Sequence, residues 1–497
     1  MIFDDFKTLV ETFHGTSLHL NSYLVSSTPE FTENIAKKLT IQNMNFTIPE
    51  EYNFLSRFYR LAFTNILSSI VVPLSGLIDL AYLGHLPDIR YLAGVSLATI
   101  LFSYLYRVLN FLRSSSNGMT AQAVGSDNPE AILLVLLRNG LIALGIGTLI
   151  LILQYPLQTV GFTFLVGAKE VKDAGLNYFQ ARIWGAPAVL LNFVLVGWFF
   201  GRELNIFVVL ISVIESLTNV VLDYLFIIRW GWASTGAGLT TAISQYVALL
   251  IGLIIVCFHI DWSILSGVIP KVLDWSAIKA TFKLNRDMLI RSLAVVSTFA
   301  IFTELSSAMG TEILAENSVL FQAAAFNMFV VQGVGFATQS LTGNFKGQGT
   351  LQQLQPLLIV SLLTSLSLSI PIAILYILFP ETIFGLLTNH TEVTENISNY
   401  VKWLLPFQGF FAVNVILEGF FGGLTEGRTL RNSALISFVG GFMPIAIASW
   451  YFHSNHLLWL AMTLFSITAI VVFSFKLLDT FTNEIKIPTV SPTTTEI

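Results

Sequence analysis

Residues 131–153 read AILLVLLRNGLIALGIGTLILIL, a run with Arg138 as its one charge. A helix needs about 20 apolar residues to cross the hydrocarbon of a bilayer, and this run supplies them. Its residues do not alternate in polarity, so it cannot be a strand of a transmembrane barrel. Comparable segments recur on both sides, near 61–83, 91–112, 130–155, 176–200, 204–228, 233–258, 286–311, 315–342, 354–380, 397–421, 433–453 and 457–478. The expected fold class is an all-α polytopic membrane protein with twelve transmembrane helices in two six-helix lobes related by pseudo-twofold symmetry.

Composition agrees. Of 497 residues, 54% are hydrophobic and 11% charged, with net charge -5. About 25% charge is usual for a soluble domain, so a solvated globule of this size is excluded. The negative balance offers no general field for nucleic acid, and Cys257, the one cysteine, allows no intrachain disulfide.

Five segments are expected: a polar amino-terminal extension over 1–60, six spans within 61–258, a linker over 259–285, six spans within 286–478, and a tail over 479–497. The extension carries Pro29 and Pro49, lacks the basic start and apolar run of a signal peptide, and suggests a short helix near Phe31–Leu39. Lysine and arginine favour cytoplasmic loops. Their distribution, with Arg57, Arg113, Arg202, Lys271 and Arg428 on one side, predicts that both termini are cytoplasmic in the cell (inner) membrane.

The linker contains Pro270 and the amphipathic segment WSAIKATFKL. An even number of spans before it gives both halves the same orientation, as in parallel transporter repeats. LAGVSLATIL leading to SSSNGMTAQAVG is echoed by LAENSVLFQAAAF leading to VQGVGFATQSLTG.

Ionisable groups are costly inside a bilayer, so each is a candidate site. Asp79, in PLSGLIDLAYLG, and Asp223, in NVVLDYLF, fall at similar depths in spans one and five. Glu215, Asn219 and Asp223 recur every four residues and share one helical face. Thr240, Thr241 and Gln245 on span six fall near the depth of that pair. These oxygens can bind Na⁺, or the carboxylates can carry protons; the sequence does not choose. Pro73 and Gly76 suggest a hinge beside Asp79, with glycine allowing a close helix approach. In the second half, Glu304 and Asn327 are cavity or substrate candidates. Arg107, Arg138 and Arg291 are expected to extend toward headgroups. Trp184, Trp198, Trp230, Trp232, Trp403 and Trp450 are expected mostly near interfaces, and only a few phenylalanines are expected to touch substrate.

The segments PLSGLIDLAYLGHL, LAGVSLAT, GMTAQAVG, NVVLDYLFIIRWGWASTGAGLTTAIS, RSLAVVSTF and GFATQSLTGNFKG resemble the multidrug and toxic compound extrusion (MATE) family, in its DinF-like branch. The resemblance runs from Leu61 to Leu478. It implies an antiporter of two lobes around a cavity, exchanging H⁺ or Na⁺ for organic cations or amphipathic drugs, with an ion site at Asp79, Asn219, Asp223 and Thr241 and a bend at Pro73. Gln332-Gly333 departs from relatives that often carry an acid there.

No Walker, HExxH or GxSxG motif supports an enzyme or an ATP-driven pump. The expectation is a non-enzymatic, monomeric transporter in the lipid bilayer, with a small-molecule substrate, no nucleic-acid partner and no cofactor beyond the coupling ion. The alternative is a flippase or exporter of a lipid-linked or anionic metabolite. It is disfavoured because few arginines appear deep in the spans. A non-transporting membrane scaffold leaves the buried acids unexplained.

Overall fold

The computed structural model describes residues 52–164, 168–385 and 397–484; the side chains of 72–75, 77, 79, 80, 164, 483 and 484 lie outside that description. The expected helix at 31–39 also lies outside the described residues, as does most of the carboxyl-terminal tail. Among the described residues there is no β-strand.

The long helices are α1 Leu55–Gly84, then α2 Ile89–Gly125, α3 Pro129–Ile152, α4 Lys169–Gly201, α5 Asn205–Arg229 and α6 Ala233–His259. After a connection they continue as α7 Trp275–Ala308, α8 Thr311–Gln348, α9 Leu351–Leu378, α10 Ile397–Gly423, α11 Gly427–Phe452 and α12 Asn455–Thr482. The eleven from α2 onward are each long and apolar enough to cross a membrane. Together with α1, of 30 residues, they make a multipass helical membrane protein.

Several helices outrun their apolar cores. The segment WSAIKATFKL, expected in the linker, forms the first turns of α7 because Asp274 caps it, accepting from the backbone N–H of Ser276 at 2.9 Å and of Ala277 at 3.4 Å. Arg138 fastens the remaining connection to α3, donating to the carbonyls of Lys271 at 2.6 Å and Val272 at 3.3 Å. It serves as a tether there. Helix α2 continues past 112 to Gly125 with one interruption at Asn110, because Ser115, Ser116, Asn117 and Thr120 are buried against protein. Small polar side chains permit close packing where hydrophobicity alone would end the helix.

Helices α2, α4, α8 and α10 finish at one end, the end predicted to be cytoplasmic, and they finish alike. Each is followed by a left-handed residue: Asp127 (φ 49°), Glu203 (φ 59°), Gly349 (φ 75°) and Thr425 (φ 57°). Each has the paired bonds of a Schellman cap. Thus Leu204 N–H reaches Phe199 C=O at 2.9 Å as Glu203 N–H reaches Phe200 C=O at 3.0 Å, and Glu426 N–H reaches Phe421 C=O at 3.0 Å as Thr425 N–H reaches Gly422 C=O at 3.1 Å.

At this end the first six helices are bonded to the last six. Gln122 donates to the carbonyl of Gly423 at 2.7 Å, Gln339 to that of Ser114 at 2.7 Å, and Ser340 to the Asn117 carboxamide oxygen at 3.0 Å. Gly118 makes the contact possible: a Cβ there would lie 2.3 Å from the Gly422 carbonyl oxygen. Helix α8 is the joint, packing along α1 and α2 as well as α10. Trp198, expected at an interface, is instead buried and donates to the Ile132 carbonyl at 3.0 Å.

Candidate functional site

Helix α5 presents Glu215, Asn219 and Asp223 toward α6. Glu215 accepts from the Gln245 carboxamide at 2.5 Å. Gln245 in turn accepts from Asn192 of α4, at 2.9 Å through its backbone carbonyl and 3.0 Å through its side chain. Eight residues further along α5, Asp223 is fully buried and accepts from the Thr240 hydroxyl. Asn219 lies between them, buried, and among the described residues its Nδ2 makes no hydrogen bond. An antiparallel helix pair is thereby joined by two carboxylates and two neutral donors, a polar column inside an apolar body. At Asp223 the α-helix becomes a π-helical turn over Tyr224–Arg229. Such turns leave the regular i→i−4 ladder and often mark functional positions.

The hydroxyl that meets Asp223 belongs to Thr240. Thr241, which the family resemblance assigns to the ion site, donates to the Ala237 carbonyl at 2.8 Å, as Thr240 also does at 2.9 Å. Adjacent helical residues are about 100° apart, so only one of the two can face α5.

Helix α1 packs along α5 and also touches α6. Asp79 and Pro73 lie within its continuous helical run, but their side chains are outside the described ones. Gly76 is exposed, with nothing within 4 Å of where a Cβ would stand, so it is not the close-approach point expected of it. That role falls to Gly333 on α8, where a Cβ would come within 2.6 Å of the Ile66 backbone nitrogen.

A separate cavity of about 430 Å³ is lined by α2, α4, α7, α8, α10, α11 and α12. Its wall is aromatic, including Phe299, Phe321, Phe336, Phe411 and Phe465, with Met288, Met328 and Met462. Gln332, the departure from the family pattern, also lies on the wall.

The charged lining consists of Arg107, Arg113, Arg291 and Glu418. Arg291 pairs with Glu418 across α7 and α10. Arg107 and Arg291 therefore line a cavity where headgroup contact was expected, and Arg113, expected in a loop, lies within α2. Glu304 is exposed and does not line this cavity. Asn327 is buried in α8 and donates to Ser369 Oγ at 2.8 Å and Gln408 Oε1 at 2.6 Å, a packing role between α8, α9 and α10. Glu215, Asn219, Asp223, Thr241 and Gln245 are likewise absent from the lining. Among the described residues, no cluster of three or more His, Cys, Asp or Glu forms a metal site.

The MatE family model matches residues 65–225 and 288–447. DNA damage-inducible protein F of Escherichia coli is 33% identical over 409 residues, covering 82% of this chain and 88% of that protein. A probable multidrug resistance protein NorM of Thermotoga maritima is 21% identical, covering 76% and 82%. In fold, the chain is similar to a MOP superfamily transporter from Pyrococcus furiosus, with TM-score 0.77 and 17% identity over 85% of this chain and 95% of that one.

Proposed function

From the premise that this chain belongs to the MatE family, we propose that it is a secondary active antiporter that exports amphipathic small molecules in exchange for H⁺ or Na⁺. It acts as a transporter and not as an enzyme. The observation that carries the reading is the separation of the α5 polar column from the larger aromatic cavity. Two chemically different compartments suit two different passengers. Among the described residues Glu215 has the neutral Gln245 as its hydrogen-bond partner and no basic residue in an ion pair. A carboxylate so placed in hydrocarbon gains from taking up a cation.

In this reading the ion site comprises Asp79, Asn219 and Asp223, with the Thr240 hydroxyl as the threonine contribution and Glu215 with Gln245 continuing the column. Ion uptake exchanges the Asp223–Thr240 contact for contacts to the ion, and the π-helical turn gives α5 room to adjust. The two matched segments form two lobes, the inner-end contacts between α2, α8 and α10 open in the opposite state, and both termini are cytoplasmic. Loading of the column and opening of that end thereby become one alternating cycle.

The test is substrate-dependent flux in proteoliposomes under separately imposed proton and sodium gradients. Only the driving ion should accelerate export, and Asp223→Asn should abolish that acceleration while the protein remains folded. Unchanged coupled flux in Asp223→Asn overturns the ion site.

A further inference from the structure

Arg113 sits twelve residues before the end of α2, about 18 Å from it at 1.5 Å per residue. Its side chain is one of those lining the aromatic cavity. Its guanidinium lies 4.4 Å above the Phe336 ring, and among the described residues its buried Nε has no hydrogen-bond partner. Among the described residues it makes no ion pair. Arg291 and Glu418 neutralise each other, so the lining retains the charges of Arg107 and Arg113. Arg182 adds a third cation nearby, its Cζ 6.0 Å from the ring centroid of Tyr106, a lining residue. The carboxamides of Asn110 and Asn414 are neutral and offer either a donor or an acceptor on rotation.

A partly buried cation faced by an aromatic ring and, among the described residues, paired with no acid has much to gain from an anionic partner. A guanidinium is also suited to oxyanions, since its planar N–H fork matches carboxylate, sulfonate and phosphate oxygens. Around it, phenylalanine and methionine supply adaptable apolar surface. We infer that the cavity binds an amphipathic anion, with an aromatic or acyl body against the phenylalanine wall and one oxyanion on Arg113 with help from Arg107. This rests on the export reading above and names the substrate class of that cavity.

Equilibrium dialysis on the detergent-purified full chain tests it, with 1-pyrenebutyrate as the anion and (1-pyrenylmethyl)trimethylammonium as a cation with the same ring system. Protein-free detergent provides the partition baseline. The anion is expected to bind at least tenfold more tightly than the cation. Arg113→Gln should cost the anion tenfold or more and change the cation less than twofold, and Arg113→Lys should restore part of the loss. Arg107→Gln should cost the anion about threefold, and it decides the matter if Arg113→Gln does not fold. Equal or tighter binding of the cation, or an unchanged anion affinity in a folded Arg113→Gln or Arg107→Gln protein, overturns the inference. Binding is measured without a gradient, so a lack of coupled flux with this contrast intact would count against the antiporter alone. Coupled flux without the contrast would count against the anion alone.

Discussion

Gln245 connects two helices at once: its side chain donates to Glu215 of α5 at 2.5 Å and accepts from Asn192 of α4 at 3.0 Å. A leucine there would remove the carboxamide donor of Glu215, while Asn192 would keep its bond to the backbone carbonyl of residue 245. Gln245→Leu is expected to destabilise the protein by about 1–2 kcal/mol, within the range of about 1–3 kcal/mol for one unmade bond to a buried polar group. Glu215→Gln, which preserves a bond to Gln245, should change stability by less than about 1 kcal/mol. Thermal unfolding in detergent distinguishes the two.

The Arg291–Glu418 pair, with side chains 21% and 17% exposed, calls for a double-mutant cycle. Either truncation alone leaves a partly buried charge and should cost about 1–3 kcal/mol, discounted from fully buried values because water reaches both groups. Arg291→Met with Glu418→Leu should cost less than the two single changes summed. Strict additivity in unfolding would show that the pair contributes no coupling.

Gly118→Ala tests the contact between α2 and α10. The added methyl would meet a backbone oxygen at 2.3 Å, which cannot rotate away. Overpacking of this kind costs about 1–3 kcal/mol, and here the strain falls on the end where α2, α8 and α10 are bonded together. Cysteine accessibility of engineered positions near Gly423 should rise in the variant. Accessibility equal to that of the parent would argue that this end is not a gate.

Asp274, outside the membrane spans, has its carboxyl held below the ordinary range by hydrogen bonds from the Ser276 side chain and backbone and the Ala277 backbone. A depressed carboxyl contributes stability that is complete above the unfolded value of about 3.9 and is lost as pH falls through the folded one. Asp274→Ala should therefore lower the melting temperature at pH 7, with the gap narrowing toward pH 3. A gap independent of pH would place the effect outside the cap.

The long helices were legible because each carries an apolar run that leaves few alternatives. The Glu215, Asn219 and Asp223 face was legible because a spacing of four survives any error in helix ends. Thr240 was not distinguishable from Thr241, since rotation of α6 relative to α5 is set by the turn at 230–232 and by tertiary packing. Arg113 was hidden by a boundary. The apolar run of α2 fades near Leu112, but the helix continues through buried serines, asparagine and threonine to Gly125. What looked like a loop cation became a cation on a cavity wall. Exposure of Glu304 depends on which face of α7 meets other helices, and neighbours along the chain do not encode that.

The four Schellman corners bear on how movement in this protein can be observed. Only a few residues separate α2 from α3, α4 from α5, α8 from α9, and α10 from α11, so each pair is expected to move as one stiff unit about its shared corner. A probe on one arm reports its partner arm as well. Cys257, the sole cysteine in the sequence and exposed, already provides one attachment point near the end of α6. One further cysteine on α10 would make a single distance distribution report how the α10–α11 pair moves relative to α6.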